Sequence, residues 1–216
     1  MYETILFDLD GTLTDPGEGI TKSVAYALQK YSIEVADRSV LYPFIGPPLV
    51  DSFQKYYGFS PKQAEQAVVY YREYFRETGL FENEVYDGVE DLLSSLKSAG
   101  KRVILATSKP EVFARQILDH FGLTRYFDVI AGALLDGSRM HKADVIAYAL
   151  DTAGITDKSS VVMVGDREQD VKGAEKTGLP CIGVLYGYGS REELTAAGAT
   201  AIVESVEELQ QFLLKA

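Results

Sequence analysis

Apolar residues gather along this chain in short blocks of two different periods. Ile5-Leu6-Phe7, Val103-Ile104-Leu105-Ala106 and Val161-Val162-Met163-Val164 are continuous apolar runs, as expected of parallel strands covered on both faces. Phe127 to Ala131, Cys181 to Leu185 and Ala201 to Val203 read as three more strands. Between them the spacing turns helical: Val89, Leu92, Leu93 and Leu96; Phe113, Ile117 and Phe121; Val145, Ile146, Ala149 and Leu150; Val206, Leu209, Phe212 and Leu213. Asp87 with Glu90 predicts a capping box for the first of these helices, and Gly100 its end. Pro110 is placed to open the second, and the third is expected from about His141 to Ala153. Alternating strands and helices predict an α/β fold, a doubly wound (Rossmann-like) parallel sheet with right-handed crossovers. The first strand belongs in its centre, because the chain leaves it on an excursion and later returns to the same sheet.

That excursion runs from Asp15 to Glu82 and has a different pattern. Ile20, Val24, Ala27 and Leu28 predict one helix, and Pro61 to Thr78 another, with Ser60-Pro61 as its start and Gly79 as its stop. Eight of the 14 tyrosines fall here, with Tyr70, Tyr71 and Tyr74 together on one helix, where packing is the simplest use for them. Tyr42 to Leu49, with three prolines, predicts a stiff connecting loop. The chain therefore divides into a core of residues 1–14 and 83–216 and a small helical insert of residues 15–82.

Composition narrows the partners. Among 216 residues, 46% are hydrophobic and 25% charged, as in ordinary globular proteins. A net charge of -11 leaves no basic face for a nucleic acid polymer, and no apolar run nears the ~20 residues of a membrane span. Met1 leads into a strand, not a signal peptide, and the single Cys181 rules out an internal disulfide. Together these predict a cytoplasmic protein, monomer or homodimer, whose partner is a small molecule. An anionic ligand needs a metal ion and local cations to offset that charge.

The candidate chemistry sits where strands end. Asp8-Leu9-Asp10-Gly11-Thr12 follows the first strand, and residues two apart share one side of an extended chain, so both carboxylates enter one small volume. A surface turn is one account; an EF-hand loop is another, but that loop requires Gly where Leu13 stands. Thr107 ends a second strand, where a helix cap is the ordinary use of such a residue. Asp166 ends a third, with Asp170 four residues on, in a position that a helix dipole favours anyway. Lys142, near a helix start, works against that dipole unless an anion is shared there. Gly187-Tyr188-Gly189 lacks the third glycine of a dinucleotide site; His120 and His141 lack metal-ligand spacing; Ser108 lacks a nucleophile elbow.

Ligand crevices of open parallel sheets lie at strand carboxyl ends, so these groups should converge. Combined, they make a phosphoryl-transfer kit. Asp8, Asp166, Asp170 and a backbone carbonyl suit Mg2+. Asp8 serves as nucleophile, Asp10 as general acid/base, and Thr107 and Lys142 as ligands of the phosphoryl oxygens.

In that order the four stretches resemble the motifs of the haloacid dehalogenase superfamily, with the insert similar to its type 1 helical cap. Asp15 to Ile20, Ile45 to Leu49 and Thr107-Ser108-Lys109-Pro110 are similar to phosphoglycolate phosphatases and 5'-nucleotidases of that superfamily. The resemblance implies a Rossmann-like core, Mg2+, and hydrolysis of a small phosphorylated metabolite. It extends the metal set to the Asp10 backbone carbonyl, with Asp170 in an outer position, and adds Gly11, Ser108, Gly46 and Lys22 as substrate contacts, with Arg72 or Arg76 beside Lys22. Many phosphoglycolate phosphatases carry Lys-Pro at the third motif, whereas this chain reads Arg139-Met140-His141-Lys142-Ala143, which turns the expectation away from phosphoglycolate. A sugar-phosphate mutase and a non-enzymatic receiver domain use similar parts. A dehalogenase needs no metal and leaves Asp10, Asp166 and Asp170 without a task.

Overall fold

A computed structural model describes residues 1–215, which form two compact units, residues 1–14 with 85–215, and Asp15–Glu84. Asn83 and Glu84 thus fall with the helical insert, two residues beyond the boundary that the sequence pattern gives. The chain begins with β1 (Thr4–Phe7) and passes between the units at β2 (Thr14–Asp15) and later at β3 (Glu84–Val85).

The helical unit contains α1 (Gly17–Gln29), a 3-10 segment (Arg38–Phe44), α2 (Leu49–Tyr57) and α3 (Pro61–Tyr74), continued by one π turn (Phe75–Gly79). Ser60 caps α3 in a complete capping box with Gln63. Two features depart from expectation. An additional helix, α2, begins at the last residue of the Tyr42–Leu49 loop, whose first three residues end the 3-10 segment; Phe53 on α2 packs on Phe44 (ring centroids 5.0 Å) and stacks on Phe59 (5.8 Å), contacts its short apolar pattern does not advertise. The predicted second helix changes pitch after Tyr74, where Leu80 N–H bonds back to Phe75 O at 2.7 Å. Tyr71 is buried against Phe75, so the tyrosine-rich face is at least in part packing surface.

The larger unit continues through α4 (Val89–Ser98), β4 (Arg102–Pro110), α5 (Glu111–His120), β5 (Val129–Ala133), α6 (Lys142–Thr152), β6 (Val161–Gly165), α7 (Glu168–Lys176), β7 (Cys181–Val184), α8 (Arg191–Ala197), β8 (Ala201–Val203) and α9 (Val206–Lys215). Its six strands are parallel in the order β5-β4-β1-β6-β7-β8, with helices on both faces. Leu6, Ile104, Ala106, Met163 and Cys181 point to the face carrying α6, α7 and α8, where they meet Val145, Ile146, Ala149, Val171, Ala174 and Leu194. Each such large side chain contributes about 1.5–3 kcal/mol on leaving water.

Two local expectations are corrected. Asp87 does not cap α4: Gly88 is the residue before Val89, no side chain caps the helix, and Glu90 pairs instead with Arg125 at 2.5 Å. β5 starts two residues later than predicted, because Asp128 turns its carboxylate to Val103 N–H (2.8 Å) and Lys97. Strand β4 runs on past Ala106 to Pro110 with a register irregularity after Thr107. Among the described residues, no helix is long and apolar enough to cross a membrane.

Candidate active site

Strand β1 lies between β4 and β6, and Phe7 is in register with Leu105 on one side and Val164 on the other. The connections from these neighbours leave in opposite directions, which opens a crevice at their carboxyl ends. Asp8 continues the ladder, its N–H donating to Val164 O at 2.9 Å. The chain then folds into a tight loop around one carbonyl: Leu9 O accepts from the N–H groups of Thr12, Leu13 and Thr14, and Gly11 N–H donates to Thr14 O at 2.8 Å. This turn presents Asp8 and Asp10 together, both buried.

Lys142, the first residue of α6, reaches down between them and the β6 side. Its Nζ lies 2.8 Å from Asp8 Oδ1 and donates to Ala106 O at 3.1 Å. It also lies 2.7 Å from Asp170 Oδ1, close but poorly aligned for a hydrogen bond. Burial opposes the ammonium charge; the carboxylates of Asp170 and Asp8 outweigh it and hold Lys142 above its ordinary pKa. The lysine that opposed its helix dipole in the sequence is thus compensated by two acids.

Carboxylates outnumber cations here. Ligand oxygens of Asp8, Asp166 and Asp170 all lie within 4.8 Å of one another, and all three residues are buried. Burial, then Asp170 and Asp8, push Asp166 well above the usual carboxylate range. Burial and Asp8 raise Asp170 to about 6 against the pull of Lys142. Asp166 is also oriented: its Oδ2 accepts Tyr188 N–H at 2.8 Å, while Oδ1 has no hydrogen-bond partner. An orphaned buried oxygen between two further carboxylates fits a hard divalent cation. Asp170 Oδ2 accepts Arg167 N–H at 3.0 Å, which leaves its other oxygen to Lys142.

Thr107 is buried in β4, and its Oγ1 accepts Lys109 N–H at 3.2 Å. Ser108, next along the strand, is partly exposed. Gly46 and Lys22 belong to the helical unit. The Lys22 ammonium is held there by Glu18 and Glu82, 2.6 Å from each, so it is not a free cation awaiting an anion. Arg139, which stands near the third motif, donates to Gly132 O, pairs with Glu111 at 2.8 Å and lies 3.6 Å over the Tyr148 ring.

Two participants escaped the sequence reading. Lys109 pairs with Asp10 Oδ2 at 2.5 Å, deep in the protein; only its place two residues after Thr107 hinted at a shared direction. Gly187-Tyr188-Gly189, not a nucleotide fingerprint, closes over Asp166. A Cβ on Gly187 would lie 2.2 Å from Gly11 O, and one on Gly189 1.8 Å from Asp166 O, so only glycine permits that approach.

Residues 5–184 match the model of the haloacid dehalogenase-like hydrolases. A 5'-nucleotidase of Pseudomonas aeruginosa is 49% identical over 212 residues, covering 98% of this chain and 96% of that protein. The tyrosine-protein kinase PtkA of Mycobacterium tuberculosis is 38% identical, covering 98% of this chain and 72% of that protein. The crystal structure of a predicted phosphatase from Clostridium acetobutylicum is 55% identical and superposes with a TM-score of 0.97 over the whole of both chains. The chain belongs to the haloacid dehalogenase-like hydrolases, on their phosphatase side.

Proposed function

We propose that this phosphatase is Mg2+-dependent and hydrolyses a nucleoside 5'-monophosphate, or a close phosphomonoester, through an aspartyl-phosphate on Asp8. The observation that carries the reading is the excess of three buried carboxylates over the one lysine among them, with Asp166 Oδ1 unpartnered. Asp8, Asp166 and the Asp10 carbonyl would hold the ion, and Asp170 fixes Lys142 beside it. When bound, Mg2+ supplies charge neutralisation that lets an anionic ester approach an anionic nucleophile.

A carboxylate oxygen of Asp8 attacks phosphorus, and the bond from phosphorus to the ester oxygen breaks. Asp10 delivers a proton to that oxygen; burial, opposed by Lys109, holds its pKa above the ordinary carboxylate value. The leaving alcohol departs. Asp10 then takes a proton from water as the water oxygen attacks phosphorus, the bond to Asp8 breaks, and inorganic phosphate leaves. Lys142 and the Thr107 hydroxyl hold phosphoryl oxygens while charge moves between them.

Nucleotide monoesters are favoured over phosphoglycolate because the Pseudomonas aeruginosa relative at 49% identity is a 5'-nucleotidase and the third motif lacks Lys-Pro. The reading includes the cytoplasm as location and residues 15–84 as the cap that selects the leaving group. The test is Mg2+-dependent phosphate release from nucleoside monophosphates, phosphoglycolate, sugar phosphates and pyrophosphate. A nucleoside monophosphate should lead; phosphoglycolate in first place, or a hexose 1-phosphate isomerised without phosphate release, overturns the assignment. Asp8→Asn should reduce turnover of every substrate by about 10⁴-fold or more.

A further inference from the structure

Asp10 and Lys109 form a second buried ion pair at the same strand ends, and the three-acid cluster does not account for it. The Lys109 ammonium lies 2.5 Å from Asp10 Oδ2, with side-chain exposures of 4% and 11%. Asp10 Oδ1, in contrast, is buried with no hydrogen-bond partner. A carboxyl group gripped through one oxygen cannot rotate freely, and its two oxygens become chemically distinct.

The strand is built to deliver this lysine. β4 loses its regular register on β5 between Thr107 and Pro110, the kind of irregularity that redirects a strand's side chains. Lys109 N–H turns back to Thr107 Oγ1 at 3.2 Å within it. Opposite, on β5, a Cβ at Gly132 would lie 2.8 Å from Lys109 O and 2.5 Å from Glu111 Cα, so the partner strand has made room for the irregular end. Holding a lysine in so dry a place also requires its partner, since a lone buried charge is strongly disfavoured.

We infer that Lys109 is a positioning residue for the reaction: it clamps Asp10 through Oδ2 and leaves Oδ1 as the oxygen that exchanges the proton with the leaving group. The inference rests on the acid/base reading of Asp10 and adds to it the group that orients the acid. Lys109 acts through Asp10, not on the phosphoryl group.

Two predictions follow from acting through another residue. Losing an oriented acid slows esters whose alkoxide must be protonated, and spares an aryl phosphate whose phenolate leaves without a proton. It also costs nothing once the acid itself is gone. The experiment compares the wild type, Asp10→Asn, Lys109→Met and the double variant, by kcat/KM on the best alkyl phosphomonoester and on 4-nitrophenyl phosphate. Methionine keeps the length of the buried stem and removes the ammonium. Lys109→Met and Asp10→Asn should each lower the alkyl value by about 100-fold and the aryl value by less than about fivefold. The double variant should match Asp10→Asn.

Equal loss on both esters in Lys109→Met, or a further loss in the double variant beyond Asp10→Asn, overturns the inference and marks Lys109 as a substrate ligand or a folding residue. If Asp10→Asn itself slows both esters equally, the acid/base reading falls, and the inference with it. If Asp10→Asn discriminates and Lys109→Met does not, only the inference falls. Should Lys109→Met fail to fold, the double variant, which buries no unpaired charge, still decides by its agreement or disagreement with Asp10→Asn.

Discussion

Two lysines are buried at the strand ends of one sheet, and their company differs. Lys142 faces Asp8 and Asp170, with Asp166 close by; Lys109 faces Asp10. The first group holds more negative charge than it can balance; burial, and then the neighbouring carboxylates, raise Asp166 and Asp170 in pKa. The second is balanced one to one. Physical chemistry assigns the two different tasks: an acid-rich pocket recruits a cation from solution, whereas a neutral pair fixes a geometry.

The contrast breaks first in apo stability, where the two groups should respond with opposite signs. Asp10→Asn leaves Lys109 with a neutral acceptor in place of a carboxylate and should cost about 2 kcal/mol. Asp166→Asn removes one of three mutually repelling acids and keeps an acceptor for Tyr188 N–H, so at pH 8 without metal it should raise Tm. Denaturation scans in chelator check both; a loss of stability in Asp166→Asn means the acidic cluster is not strained in the absence of a cation.

The next effect concerns the loop that orients Asp166. Gly187→Ala forces a Cβ to within 2.2 Å of Gly11 O, so the loop must retreat and Tyr188 N–H with it. Supporting contacts of metal ligands are worth about 10–100-fold in affinity, and calorimetric Mg2+ titration should show a loss of that order. Lys109 touches the Asp10 side chain and not the carbonyl that would hold the ion, so Lys109→Met should leave Mg2+ affinity nearly unchanged in the same titration.

The smallest separation is in pH. Asp170 is raised from 3.8 to about 6, and Asp166 is raised also. A carboxyl whose folded pKa exceeds its unfolded value binds its proton more tightly in the fold, so apo stability falls as pH rises through that window. Metal binding needs the proton off and follows the opposite course. Mg2+ affinity should therefore weaken as pH falls and Asp166 takes up its proton, and the Mg2+-induced rise in Tm should shrink from pH 7.5 to 5.5. A flat Mg2+ response across that range would show that the acids do not titrate with the ion.

Much of this site was legible because parallel sheets expose it. Asp8 and Asp166 each follow an apolar run, Thr107 ends another, and Lys142 stands where a cation is disfavoured without an anion. The surroundings of Lys22 were half legible: its spacing to Glu18 shows along the chain, but its meeting with Glu82, sixty residues away, does not. Helix α2 and the π turn after Tyr74 were missed for the same reason: ring packing among Phe44, Phe53 and Phe59 has no period along the chain.

By itself, then, the sequence determined the alternation of apolar strands and amphipathic helices, the central place of β1, and the polar residue that ends each catalytic strand. Those follow from period and from local chemistry, which neighbours in the chain dictate. Only the tertiary structure decided which lysine meets which acid. Register between strands, the irregular end of β4 and the close passage of Gly187 over Gly11 set distances of a few ångström between residues about a hundred or more positions apart. At that scale a shift of one residue exchanges partners, and no local pattern records it.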